Sequence, residues 1–121
     1  MQRHESRRLS VSNPGPGSAL DTIGYYERLS SDNGPDPVSD WSRLFLVPGM
    51  GHCGGGEAAL DRFDMLSALV EWVEQGHPPE KVIATGTALP GRSRPLCAYP
   101  RHAQYRGSSD PQSAENFTCQ E

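Results

Sequence analysis

Apolar positions fall in short bursts along this chain, separated by polar or glycine- and proline-rich stretches. Leu20, Ile23, Tyr26 and Leu29 recur at helical spacing, with Asp21 and Thr22 placed to cap the first turn, so the pattern predicts a helix over 19–29. Ser30 to Asp40 is polar, contains Asn33-Gly34-Pro35 and Asp36-Pro37, and reads as a loop. Leu44-Phe45-Leu46-Val47 is an uninterrupted apolar run, which predicts one short buried strand with Trp41 packing at its edge. Pro48 ends that strand because proline cannot donate to a ladder. After a turn dense in glycine, Leu60, Phe63, Leu66, Leu69, Val70 and Val73 make one apolar stripe, with Asp61, Asp64, Glu71 and Glu74 facing elsewhere. That is the strongest helix in the chain, stopped by Gly76 as a left-handed cap and by Pro78 and Pro79. Lys81-Val82-Ile83-Ala84-Thr85 is a further strand, and beyond Gly86 no period is sustained.

The expected order is helix, strand, helix, strand and an irregular tail: an α/β arrangement with too few strands to complete a sheet of its own. Residues 1–18 show no apolar period, end in Asn13-Pro14-Gly15-Pro16-Gly17-Ser18, and read as turn or disordered chain. Residues 19–121 are then the folded unit.

Composition narrows this picture only slightly. A chain of 121 residues with 35% hydrophobic content, 13 Gly and 11 Pro has room for one domain with a thin core. Net charge is −4 and Lys81 is the only lysine, which argues against nucleic acid as a partner. No apolar run approaches the ~20 residues needed to cross a membrane. Met1 to Ser6 does not lead into the apolar segment of a secretory signal. Three cysteines leave one over: Cys97 and Cys119 flank a polar, turn-rich stretch that a disulfide between them would close, and Cys53 has no partner in the chain.

Candidate chemistry gathers in Gly49-Met50-Gly51-His52-Cys53-Gly54-Gly55-Gly56. A strand that stops abruptly and displays a histidine is how α/β enzymes place a general base. Two other readings compete. Gly49-x-Gly51-x-x-Gly54 matches a dinucleotide fingerprint, but its third glycine should open a helix, and the stripe begins only near Leu60. A metal site on His52, Cys53 and the tail cysteines lacks any Cys-x-x-Cys or His-x-x-x-His spacing.

The Gly-Met-Gly-His-Cys-Gly-Gly-Gly run, with Phe63-Asp64 and Glu71-Trp72-Val73-Glu74 behind it, resembles the tannase and feruloyl esterase family. Tyr25-Tyr26-Glu27, Arg-Pro-Leu-Cys at 94–97 and the Asn116-Phe117-Thr118-Cys119 ending extend the likeness from about Leu20 to Cys119. The resemblance implies the C-terminal portion of an α/β-hydrolase that cleaves esters, such as those of hydroxycinnamic or gallic acid, with a serine–histidine–aspartate triad. It implies that His52 is the general base and that Cys53 pairs with a cysteine beside the nucleophilic serine, outside this chain. It also supports the Cys97–Cys119 disulfide and a secreted or periplasmic location.

The family's pattern is incomplete here. No Gly-x-Ser-x-Gly elbow occurs, and Ser18, Ser93, Ser108 and Ser109 stand in polar loops. Where the family carries its aspartate in Gly-Trp-x-Asp, this chain has Val11-Ser12-Asn13-Pro14, which puts Asn13 near the acid's position. The family's inserted lid, with its substrate and calcium contacts, is absent, so no cofactor is expected in this chain. The sequence therefore predicts a serine esterase portion that is inactive alone, with the missing N-terminal portion and an aromatic-acid ester as its partners. A non-catalytic remnant or interaction module is the alternative, and a dinucleotide-binding fragment a weaker third.

Overall fold

The computed structural model describes residues 8–12, 18–34 and 37–121, the first of these as backbone only. Asn13 lies outside the described residues. Strand β1 (Arg8–Ser12) is followed by helix α1 (Ser18–Asp32), strand β2 (Ser42–Leu46), helix α2 (Met65–Gln75) and strand β3 (Lys81–Ala84). Strands β4 (Arg94–Cys97), β5 (His102–Tyr105) and β6 (Phe117–Gln120) complete the chain. β1 and β2 pair in parallel, from Arg8 opposite Ser42 to Ser12 opposite Leu46, so β1–α1–β2 is a crossover unit. β3 pairs antiparallel with β4, and β5 antiparallel with β6. An antiparallel bridge between Phe45 and Ala98, with Tyr99 N–H donating to Leu44 C=O at 2.8 Å, joins β2 to the end of β4.

The core sits on that junction. Phe45, Val47, Leu60, Ala84, Leu96 and Ala98 form one buried cluster, with Met50, Phe63, Met65, Val82 and Leu89 packed against it. Buried Arg43 lies over the Trp72 ring, its guanidinium 5.0 Å from the centroid, and bonds Glu80 Oε1 at 3.1 Å. Glu80 also holds Arg101 at 3.2 Å, so one carboxylate serves two guanidinium groups. The Cys97–Cys119 disulfide ties β4 to β6.

Several expectations need correction. Arg8–Ser12 forms a strand rather than irregular chain, because β2 offers it a parallel partner that local sequence does not reveal. Ser18 begins α1 instead of standing in a loop. The tail contains three strands, each four residues long, too short for alternation to show. The second helix starts at Met65 and not near Leu60. Arg62 and Thr85 exchange backbone hydrogen bonds of 2.8 and 2.9 Å, which commits the preceding segment to an extended path. Asp64 then caps the helix, accepting from Ser67 N–H at 2.9 Å. Those hydrogen bonds hold the Asp64 carboxyl below the usual carboxylate range. Gly76 closes α2 in the left-handed conformation, as the pattern predicts. Tyr25 is exposed. Half-buried Tyr26 donates to Ser42 C=O at 3.2 Å, and burial pushes its phenol up.

Candidate active site

The site begins with the physics of a strand end. β2 delivers a fully buried Val47, and Pro48 leaves the ladder as the chain turns outward. The turn is then held by its own backbone: Gly51 N–H donates to Gly55 C=O at 2.8 Å and Gly54 N–H to Gly51 C=O at 3.3 Å. Gly56 has φ +126°, and a Cβ there would lie 2.1 Å from Gly49 O, so only glycine fits. His52 and Cys53 stand exposed at the tip.

Cys53 is a free thiol with φ +66°, a left-handed conformation that costs a non-glycine residue about 1–2 kcal/mol. Its Sγ lies 2.9 Å from His52 Nδ1. The thiol thus occupies the imidazole edge that a triad's acid would occupy, and Nε2 has no hydrogen-bond partner among the described residues.

One residue of this site escaped the helical pattern. Asp61 is not on a helix; its Oδ2 accepts from Gly55 N–H at 2.8 Å. Because the adjoining Arg62 is paired with Thr85, Asp61 moors the loop to the end of β3. The signal was an acidic residue a few positions after a glycine run, which the apolar stripe around it obscured.

Among the described residues no serine hydrogen-bonds to His52. Ser93 Oγ accepts from Ala114 N–H at 2.9 Å, bracing the tail. Cys97 and Cys119, being disulfide-bonded, are structural. A cavity of about 570 Å³ opens beside the end of β2, lined by Leu46, Pro48, Leu60, Leu96 and Phe117 among others; His52 is not in its wall. Among the described residues no group of three or more His, Cys, Asp or Glu could hold a metal ion, and no helix is long and apolar enough to cross a membrane. The helix that a dinucleotide fingerprint requires at Gly54 starts only at Met65.

A parallel strand feeding a histidine-bearing turn and then a helix defines an α/β-hydrolase-like arrangement. Solved structures agree. An esterase from Aspergillus oryzae superposes with a TM-score of 0.76 at 26% identity, covering 93% of this chain and 27% of that one. Feruloyl esterase B from the same organism superposes with a TM-score of 0.75 at 22% identity, covering 93% and 26%, a likeness of fold.

The family model "Tannase and feruloyl esterase" matches residues 13–120, and this chain belongs to that family of carboxylic ester hydrolases. It is 50% identical over 107 residues to mono(2-hydroxyethyl) terephthalate hydrolase of Piscinibacter sakaiensis, which covers 84% of this chain and 17% of that protein. A probable feruloyl esterase of Arthroderma benhamiae is 42% identical over 91 residues, covering 71% and 17%. The chain spans less than a fifth of the length of these two relatives.

Proposed function

We propose that this chain is the C-terminal portion of a serine-dependent esterase domain, in which His52 is the general base. The observation that carries this reading is the exposed imidazole at the tip of a glycine turn, at the carboxyl end of a parallel strand and followed by α2. The carboxyl ends of strands are where open α/β sheets bind ligands. His52 Nε2 takes the proton of a serine hydroxyl as its oxygen attacks the ester carbonyl, then passes that proton to the departing alcohol. Water repeats the two transfers and releases the acid. Two relatives' names, a terephthalate monoester hydrolase and a feruloyl esterase, support an ester of an aromatic acid as substrate.

Cys53 serves as the tether of the base loop in this reading, through a disulfide to a cysteine beside the nucleophile, outside the chain. Its exposure leaves it open to that partner. Once it is so bonded, the Nδ1 edge is released for an acid. If Asn13 occupies the acid's place, the rate falls by about 10⁴, since asparagine cannot stabilise imidazolium. The Cys97–Cys119 disulfide supports an oxidising compartment, secreted or periplasmic.

The test exchanges residues 19–120 for the matching segment of the Piscinibacter sakaiensis hydrolase. The chimera is expected to hydrolyse mono(2-hydroxyethyl) terephthalate or methyl ferulate, and His52→Ala to lower kcat/KM by at least about 10³-fold. Extending the exchange to residue 13 should lower the rate, and Asn13→Asp should restore it. The unmodified chain alone should show no hydrolysis that His52→Ala abolishes. A chimera indifferent to His52→Ala overturns the reading.

A further inference from the structure

Helix α2 is apolar over more of its circumference than this chain buries. Trp72 is 3% exposed against the core, and Met65, Ala68 and Leu69 flank it half-buried. Around the helix from that seam, Leu66, Val70 and Val73 follow at i, i+4 and i+7, which puts them on one face. They are 72%, 44% and 61% exposed. The surface helix of a self-sufficient domain turns its apolar stripe inward and polar residues outward. Here the stripe has a second flank.

Backbone pairing shows the same shortfall independently. Among the described strands β1 bonds only to β2, so its other edge has no strand partner among the described residues. Parallel strands occur in sheets covered on both faces, and a two-stranded ribbon is marginal in isolation. An open edge and an uncovered helix flank therefore occur in a chain that spans 17% of the relative it matches at 50% identity.

We infer that the Leu66–Val70–Val73 face of α2 is a docking surface, and that its occupant is the remaining portion of a tannase-family domain. On the reading proposed above, that portion carries the nucleophilic serine. The inference rests on that reading for what docks, but not for whether this face is covered.

The experiment is hydroxyl-radical footprinting by mass spectrometry on the unmodified chain and on the 19–120 chimera. Leu66, Val70 and Val73 should be labelled freely in the chain alone and protected at least about tenfold in the chimera. Leu66→Asp with Val70→Asp should lower the isolated chain's Tm far less than the chimera's, because Leu66 is largely and Val70 partly exposed to water. The same pair should lower the chimera's Tm by about 5 °C or more. Labelling that stays equal in both proteins overturns the proposal. So does protection in the isolated chain with a dimeric mass by light scattering, because the occupant is then a second copy. Protection together with activity that survives His52→Ala keeps the docking surface and removes the catalytic reading. The reverse pair of results keeps His52 and removes this surface.

Discussion

At the scale of single residues, the histidine turn stands on a few positions that admit no substitute. Gly56 is the most constrained, because its φ and the approach of Gly49 O each exclude a side chain. Gly56→Ala is expected to cost about 1–3 kcal/mol, read by denaturant unfolding, with the loop displaced rather than the core. Unaltered stability would mean that the turn adopts another path. Asp61 belongs to the same unit although it makes no contact with His52 that sequence would suggest. Its single hydrogen bond to Gly55 joins the turn to a segment already committed to Thr85.

At the scale of elements, α2 shows what sequence could and could not convey. Its end was legible, because Gly76 followed by two prolines has one meaning. Its start was misplaced, because Leu60 and Phe63 continue the helical spacing while the chain there is extended. The deciding contact, Arg62 with Thr85, lies across the fold and leaves no local mark. The apolar run of β2 and the glycine turn were plain, since buried strands and sharp turns have strong compositional signatures. β1 and the tail strands were not, because each is stabilised by a distant partner. The Asp64 cap yields a pH prediction. Its folded pKa is depressed, so the stabilisation is present above the unfolded carboxyl value and is lost as pH falls through the lower folded value. Asp64→Ala should lower the Tm at neutral pH, and the gap from the natural chain should close on acidification. Asp64→Asn, which still caps, should retain most of the neutral-pH stability. A gap that widens in acid would exclude this role.

At the scale of the whole molecule, the tail is anchored by β4, which pairs with β3 and places Leu96 and Ala98 in the core, and the Cys97–Cys119 bond ties β6 to it. Tyr99 donates to Glu27 Oε1 at 2.6 Å and packs edge-on to Tyr26 at 6.1 Å, joining α1 to the far end of the chain. Closing a loop of 22 residues stabilises the fold by about 3 kcal/mol in the chain-entropy picture. Reduction, or paired Cys97→Ser and Cys119→Ser changes, should remove that amount in urea unfolding while β2 and α2 persist. Simultaneous loss of every element would mean that the tail and the histidine-bearing half unfold as one unit.

The mooring of Asp61 has a consequence for how variation reaches the site. Gly86 follows Thr85, and a Cβ on it would meet Ala59 O at 2.6 Å and Leu60 Cα at 3.0 Å. A methyl group there pushes on the segment that carries Asp61, and through Asp61 on the backbone beside His52. Position 86 thus bears on the backbone beside His52 through Leu60 and Asp61, from the same end of β3 at which Arg62 pairs with Thr85.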